Sequence, residues 1–397
     1  MFKKIGPGVL IASAFIGPGT VTACTLAGAG FGYALLWAML LSILATMVLQ
    51  EMSARLGIVS QKGLADAITS EIKRPLWRNS VLGITLMAIV VGNAAYESGN
   101  IGGGTLGMQA LFGEGGKTVY PLIIGAIAFL LLFWGNYKSL EKIFVSLVLV
   151  MSLSFMVTAI LTWPDIQNVL KGMFVPTVPE DSILTIIALV GTTVVPYNLF
   201  LHASLVNEKW KSPNNLRDAQ RDTILAIGVG GLVSLSIIIS AAQMQGREIM
   251  NILDLAEGLR PLYGEWARYC MGVGMLAAGI TSAITAPLAA AYVANSCFGW
   301  NAGLKDFRFR MVWIFILSIG VCFLYFDIRP IEVIKFAQVA NGILLPVIAF
   351  ILLWMVNSPQ IMGVHKNSLW QNVLGTVITM LALALGLKSI LTVIGLL

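Results

Sequence analysis

Apolar stretches long enough to cross a bilayer recur along nearly the whole chain, with only short polar segments between them. A membrane-spanning helix needs about 20 mostly apolar residues. Strands of a membrane barrel alternate apolar and polar residues instead, and this chain lacks that pattern. We therefore predict eleven helical spans, near residues 5–30, 33–54, 80–112, 119–136, 143–163, 181–205, 222–243, 268–297, 309–326, 331–356 and 369–396.

Composition supports the same class of protein. Hydrophobic residues make up 57% of the chain and charged residues 11%, whereas soluble domains carry about 25% charged residues. This excludes a secreted disulfide domain, a coiled coil, a disordered protein and most soluble enzymes. The chain has four cysteines and two histidines without zinc-type spacing, so no tightly bound zinc, haem or other cofactor is expected. Nothing resembles a nucleic-acid-binding patch.

The distribution of Lys and Arg predicts how the chain is oriented. Most of the 25 basic residues fall in segments that share one side of the membrane with the N-terminus, and basic loops are cytoplasmic as a rule. The first apolar stretch is interrupted twice by Gly-Pro, which argues against a cleaved signal peptide. We expect an integral protein of the cell membrane with a cytoplasmic N-terminus and an outside C-terminus. Its partners would be the lipid bilayer and a small substrate, without an obligate protein partner.

Helix-breaking residues fall in the middle of the first and sixth spans, at Gly17-Pro18-Gly19 and at Pro196. Proline removes a backbone donor and clashes with the preceding turn. Opened backbone survives at membrane depth only where it is buried in protein or lines a cavity. One break alone could be an ordinary proline kink. Matching breaks that open two inverted repeats, spans 1–5 and 6–10, point to a transport site at mid-membrane.

Both breaks resemble motifs of the Nramp divalent-metal transporters. Gly17-Pro18-Gly19-Thr20 is similar to the family's Asp-Pro-Gly-Asn, and Val195-Pro196-Tyr197-Asn198 to its Met-Pro-His-Asn. The resemblance extends over nearly the whole chain. It implies an all-α polytopic membrane protein with a leucine-transporter-like 5+5 inverted repeat plus an eleventh transmembrane helix. The corresponding segments are residues 1–163, 181–356 and 369–397.

The sequence departs from these motifs at four positions, among them that of the family's metal-binding aspartate. Gly17 replaces the aspartate, Thr20 the asparagine, Val195 the methionine and Tyr197 the histidine. The resemblance also assigns further positions by a looser alignment. Glu97 and Asn100 correspond to an acidic pair on the third helix, Gln338 to a polar position on the tenth with Asn341 one turn further, and His202 to a second histidine.

The remaining ligands at the breaks are neutral oxygens. Transition metals stripped of water need charge and favour imidazole or soft ligands, and Mg²⁺ gives up its waters reluctantly. A dry, bare dication is therefore unattractive here, and Thr20, Asn198 and Gln338 are the candidate metal ligands. The full predicted substrate site is Ala14 (through its carbonyl), Gly17, Pro18, Gly19, Thr20, Gly103, Thr192, Thr193, Val195, Tyr197, Asn198, Thr281, Ser282, Gln338 and Asn341.

Two hypotheses for the substrate follow. The first is a secondary active transporter of a small organic carboxylate complexed with a divalent metal, similar to Mg²⁺–citrate, with proton coupling left open. Helix N-termini at the breaks would face the carboxylate oxygens. The alternative is a transporter of hydrated Mg²⁺ or Mn²⁺ without proton coupling. In either case a divalent cation belongs to the substrate and is not a resident cofactor.

Five residues are candidates for a proton pathway: Glu97, Asn100, His202, Arg308 and Arg310. An intramembrane carboxylate is expensive to bury, and imidazole titrates near physiological pH. Each has a plainer explanation as well. Glu97 could be hydrated at a cavity rim, His202 could bond to backbone at a helix end, and the two arginines could anchor a cytoplasmic loop.

Other functional classes fit the sequence less well. A channel is the rival within transport, but breaks in both repeats suit rocking around an occluded site better. A membrane enzyme would need a convergent set of catalytic side chains, and we find no such cluster of His, Asp, Glu and Cys. No glycine–lysine Walker A motif is present, which disfavours a pump driven by ATP.

Overall fold

The structure, a computed structural model, describes residues 16–135, 138–300, 302–326 and 328–393. Within these ranges the chain forms α-helices joined by turns and short 3₁₀ segments, and contains no β-strand. The helices are α1 (Pro18–Phe31), α2 (Leu36–Ser60), α3 (Leu64–Glu71), α4 (Pro75–Phe112), α5 (Tyr120–Trp134), α6 (Lys138–Leu161), α7 (Ile166–Phe174), α8 (Ile183–Thr193), α9 (Pro196–Lys209), α10 (Leu216–Ala241), α11 (Ile252–Glu257), α12 (Arg260–Tyr263), α13 (Ala267–Phe298), α14 (Phe307–Phe323), α15 (Pro330–Val356), α16 (Pro359–Met362) and α17 (Leu369–Val393).

The long helices coincide with the predicted spans. The tenth span, predicted near 331–356, is α15, and the second, predicted near 33–54, is α2 with a longer C-terminal end. In the described part of the chain, eight helical segments are long and apolar enough to cross a membrane, and α5 is a shorter apolar helix. The membrane-protein class is thereby confirmed. The predicted orientation and the division at residues 163, 181, 356 and 369 stay predictions.

Helix α4 packs along the long helix α13 through glycines that bring the two backbones together. A Cβ at Gly107 would come within 2.5 Å of the Leu276 backbone nitrogen, and a Cβ at Gly279 equally close to the Gly104 backbone nitrogen. Small residues allow this close approach in membranes, where apolar burial drives helix association only weakly. Gly104, Gly107 and Gly279 therefore form a packing surface between α4 and α13.

A second face of α4 meets the helices that carry the two breaks. Gly92, Tyr96, Gly99 and Gly103 are four, three and four residues apart, so they line one side of the helix. They contact, in order, Asn341, Tyr197, Ala337 and Pro18. This face of α4 thus spans α15, α9 and α1, and it supports one wall of the site described below.

A buried ion pair ties α2 to the linker before α17. The Arg55 guanidinium lies 3.0 Å from the Glu51 carboxylate one turn earlier. Arg55 also donates to the His365 carbonyl (2.7 Å) and to the Asn367 side-chain oxygen (2.6 Å). Gln220 of α10 donates to the same Glu51 carboxylate at 2.8 Å. One charged pair therefore joins α2, α10 and the α16–α17 linker.

Candidate functional site

The sixth span is broken where the sequence predicts it. Helix α8 ends at Thr193, Val194 leaves helical geometry (φ −95°, ψ 77°), and Val195 is extended (φ −79°, ψ 119°) before α9 begins at Pro196. Proline at the first helical position lacks only an amide that would have had no intrahelical partner. The break therefore leaves a helix C-terminus and a helix N-terminus facing each other in the interior of the protein.

The first span shows the matching feature. Gly17 is extended (φ −105°, ψ −174°), and Pro18 begins α1. The Gly17 carbonyl accepts from the Thr20 amide at 3.1 Å, which closes the first turn. Ala14, the predicted carbonyl ligand, lies outside the described residues, as does the chain before it. The structure therefore shows that a helix begins at Pro18. The part of the first span before residue 16 lies outside the described residues.

The two breaks lie against each other. The Thr20 and Thr192 hydroxyl oxygens are 2.8 Å apart, and both side chains are fully buried. The Gln338 side chain of α15 packs directly on Gly19, where a Cβ would overlap its amide group. The Gln338 backbone carbonyl is pressed equally closely against Gly191. Helices α1, α8 and α15 therefore meet at one point, as the predicted site requires.

Several buried polar atoms on α4, α9 and α15 have no hydrogen-bond partner among the described residues. Leaving such an atom unsatisfied costs about 1–3 kcal/mol, and in native proteins it usually marks a place for water or a ligand. The set comprises Asn198 (both side-chain polar atoms), Gln338 Oε1, Asn341 Nδ2 and the hydroxyl groups of Tyr96 and Tyr197. These atoms give the site its capacity to bind a polar substrate.

Tyr96 is a site residue that the sequence analysis missed. Its ring packs edge-on against Tyr197, with ring centroids 5.6 Å apart, and its hydroxyl is buried beside the second break. The spacing of Gly92, Gly99 and Gly103 identifies the face of α4 that carries Tyr96. The helical spacing of these glycines could have identified Tyr96 from the sequence. The prediction selected its neighbour Glu97 instead, because Glu97 is acidic.

Glu97 lies on a different side of α4. Its side chain packs against α14, where a Cβ at Gly320 would come within 2.5 Å of Glu97 Cγ. One carboxylate oxygen accepts from the Asn100 amide at 3.2 Å, and the other has no partner. Because Glu97 is fully buried, it does not lie at a hydrated rim. The predicted pair Glu97–Asn100 is formed, next to the site but not facing the Gly19–Gln338 contact.

His202 bridges two helices through side chains. Its Nδ1 lies 2.8 Å from Gln50 Oε1 on α2, and its Nε2 lies 3.4 Å from the Thr223 hydroxyl on α10. The ring is fully buried. The plainer explanation, a bond to backbone at a helix end, is therefore wrong in detail, since both partners are side chains.

The two arginines stand far from Glu97. Arg308 is exposed, and Arg310 stacks on Phe133, with its guanidinium carbon 4.4 Å from the ring centroid. Gly320, which contacts Glu97, follows Arg310 by ten residues, or about 15 Å of helical rise. The structure therefore does not assemble these arginines with Glu97 and His202 into one cluster.

Some of the remaining predicted residues lie at the breaks, and others have hydroxyl groups that bond within their own helix. Gly103 contacts Pro18 at the first break, and Val195 is fully buried at the second. The Thr193 hydroxyl, in contrast, donates to the Leu189 carbonyl of its own helix (2.7 Å) and lies 3.7 Å from a sulfur of α2. Thr281 likewise donates within α13, to the Ala277 carbonyl (2.7 Å). Ser282 is buried on the same helix.

Among the residues that the structure describes, no charged side chain contacts either break. Throughout the described ranges, no group of three His, Cys, Asp or Glu residues is placed to hold a metal ion. The predicted ligands Thr20, Asn198 and Gln338 are neutral. An ion bound here would be surrounded by hydroxyl, amide and backbone oxygens, which suit hard cations.

A cavity of about 330 Å³ lies beside α4. Its lining includes Thr105, Asn251, Tyr325 and Arg329. The Thr105 hydroxyl is buried without a partner, and Thr105 lies two turns from Glu97 on the same helix. The cavity therefore has a partly polar lining beside α4.

Two facing helix breaks around a buried polar site define a secondary transporter of the broken-helix class. Comparison with known proteins identifies the family. The sequence profile described as "Natural resistance-associated macrophage protein-like" (Nramp) matches residues 8–392. The chain therefore belongs to the Nramp family, and the resemblance noted in the two motifs is confirmed.

Similar proteins cover almost the entire chain. The "Divalent metal cation transporter MntH" of Verminephrobacter eiseniae is 27% identical over 98% of this chain and 89% of its own. The protein of the same name in Klebsiella pneumoniae is 29% identical over 96% of this chain and 92% of its own. The site substitutions described above thus occur in a chain of ordinary length for its relatives.

Solved structures show the same fold. A manganese transporter of Eremococcus coleocola superposes with a TM-score of 0.79 at 22% identity, covering 98% of this chain and 86% of that one. MhsT, solved in complex with L-phenylalanine, gives a TM-score of 0.60 at 13% identity, covering 97% and 98%. The predicted leucine-transporter-like fold class is confirmed.

Proposed function

We propose that this protein transports divalent metal cations by alternating access, and that the ion enters the site with part of its water shell. The observation that carries the proposal is the loss of a charged ligand at the first break and of a soft ligand at the second: Gly17 and Val195 occupy the positions of a carboxylate and a thioether in the family motifs. The cargo class rests on family membership and on the names of the relatives.

The donors and acceptors of the site support a hydrated ion. Water bound to a cation points its hydrogens outward, so the protein must offer acceptors. Asn198 Oδ1 and Gln338 Oε1 are buried, unpartnered acceptors, and the hydroxyl oxygen of Tyr197 can accept as well. Water molecules that stay bound to a small cation can donate hydrogen bonds to these neutral groups, which need not contact the ion directly. They also avoid the dehydration that Mg²⁺ resists most strongly.

The hydrated ion, the second hypothesis of the sequence analysis, is better supported than the metal–carboxylate complex. The two curated relatives are named for divalent metal cations, and neither is named for an organic acid. The contacts at the two breaks involve no Lys or Arg within the described residues. This disfavours a free carboxylate but does not separate the hydrated ion from a metal–carboxylate complex, so the preference rests on the relatives.

Uptake into proteoliposomes tests the cargo. We expect saturable uptake of Mn²⁺ or Mg²⁺ supplied as the chloride, unchanged when citrate is added at a concentration that leaves the free metal constant. A requirement for citrate, or co-accumulation of labelled citrate with the metal, would refute the proposal in favour of the chelate. Empty liposomes provide the background.

Restoring the family's ligands tests the site. In the double variant Gly17→Asp/Val195→Met, direct coordination should shift the preference for Mn²⁺ over Mg²⁺ about tenfold, which corresponds to about 1.4 kcal/mol. Gly30→Asp is the matched control, because Gly30 is on the same helix with open space around it. An equal preference in wild type and double variant would place the ion elsewhere.

A further inference from the structure

The short helix α7 has an apolar face that no part of the described chain covers. Ile166, Leu170 and Phe174 follow one another at intervals of four residues and are 69%, 50% and 70% exposed. The helix is well formed, since the Asp165 carboxylate caps it by accepting from the Gln167 amide at 2.9 Å. An exposed apolar row on a stable nine-residue helix requires a partner.

The circumference of α7 divides into three sectors. At 100° per residue, Gly172, Val169 and Met173 face the protein, where Val169 and Met173 join the core and Gly172 abuts the Tyr33 carbonyl. The next sector holds the exposed apolar row. The last holds the polar side chains Gln167, Lys171 and Asn168. A helix at a bilayer surface has this arrangement: protein on one side, lipid below and water above.

The apolar row continues a surface that already faces lipid. Along the end of α6, Leu153, Val157 and Ile160 are exposed at helical spacing, as expected for a membrane-spanning helix. Trp163 follows at 90% exposure, and tryptophan favours the membrane–water interface. The row on α7 comes three residues later and extends this belt.

The segment around α7 is hydrogen-bonded to α2 and to the turn between α1 and α2. After α7, the Trp37 indole of α2 donates to the Thr177 carbonyl at 2.8 Å, and the Thr177 hydroxyl donates to the Ala34 carbonyl at 3.3 Å. Ala34 lies in the turn between α1 and α2, and the segment continues directly into α8. α7 therefore links the far ends of the two half-helices that meet at the site.

We propose that α7 is an interfacial anchor: its row Ile166, Leu170 and Phe174, with Trp163, inserts between the phospholipids of the leaflet where α6 ends. The bilayer is the occupant because the row is continuous with the lipid-facing belt of α6 and is bordered by Lys171, whose stem can reach along the apolar surface to the headgroups. The anchor holds the α1–α2 turn and the start of α8 at a fixed depth.

Photo-cross-linking tests the contact. The full chain is reconstituted in phosphatidylcholine vesicles containing tritiated phosphatidylcholine, with p-benzoylphenylalanine in place of Leu170, of Phe174 or, as control, of the exposed Asn168, which lies about 120° around the helix from Phe174. All three positions are on the surface of α7, so the fold is retained. We expect lipid labelling at the first two positions to exceed the control roughly fivefold or more.

Equal labelling at all three positions would overturn the proposal. A cross-linked product of twice the chain mass from Leu170 or Phe174 would overturn it as well, because the partner would then be a second copy. The readout is lipid contact, so it does not depend on which substrate the protein carries.

Discussion

Replacing Gly103 by alanine tests whether α4 sets the position of the first helix break. A Cβ at Gly103 would overlap the Cβ and Cγ of Pro18. Carbon atoms pack at about 3.5–4.0 Å, so the overlap amounts to roughly 1 Å or more. The proline ring is rigid and begins α1, so it cannot rotate away. Either α1 or α4 must move.

The free-energy cost of Gly103→Ala can be estimated from its two opposing contributions. Overpacking of this kind costs about 1–3 kcal/mol, and removal of a glycine from a helix returns about 0.5–1 kcal/mol. Gly102→Ala is the matched control, because its Cβ would meet its nearest neighbours at 3.5–3.6 Å, an ordinary contact. Both variants gain the same helix propensity, so their difference isolates the clash at Pro18.

The assay is initial uptake in proteoliposomes together with the melting temperature of the purified protein. For Gly103→Ala we expect uptake about tenfold below that of Gly102→Ala, equivalent to about 1.4 kcal/mol, and a lower melting temperature. If Gly103→Ala matches Gly102→Ala in both measurements, α4 does not position the break and the reasoning is refuted.

Three further outcomes are expected. Arg55→Gln leaves Glu51 largely buried without its cation and should lower the free energy of unfolding by about 3 kcal/mol in denaturant titrations, whereas exposed Arg260→Gln should leave the transition unchanged. Tyr96→Phe keeps the ring contact but removes a site hydroxyl. It should weaken metal binding measured by calorimetry and leave the melting temperature unaltered. An unaltered affinity would show that Tyr96 does not belong to the site. Should a proton gradient accelerate uptake by the wild type, Glu97→Gln should abolish the acceleration, and its persistence would exclude Glu97 from the proton pathway.

The fold could be predicted largely because its determinants are local. A run such as 331–356 is apolar enough to cross a bilayer, and the observed α15 differs from it by one residue. The break at Pro196 follows from the missing backbone donor of proline. The surface helices α3 and α7 were not predicted, because eight or nine residues contain too few turns for apolar periodicity to stand out.

The site was predicted less completely because helix rotation is a tertiary property. Thr192 and Thr193 are adjacent in sequence and chemically identical, yet one contacts Thr20 and the other is turned toward α2. Tyr96 and Glu97 are divided in the same way between the site and α14. For both pairs, the residue types were enough to predict which helix contributes to the site. Packing against neighbouring helices then determines which residue of the pair faces the break.

The neutral breaks have a consequence for how the membrane potential drives transport. Position 17 is glycine and position 195 is valine. When the transporter returns without a bound ion, these two motifs therefore carry no charged side chain across the electric field of the membrane. For a divalent cargo, the loaded half moves two charges, which is worth roughly 4.6 kcal/mol per 100 mV across the full field. If Glu97 stays neutral throughout the cycle, a membrane potential that is negative inside would therefore accelerate loading from outside without slowing the return.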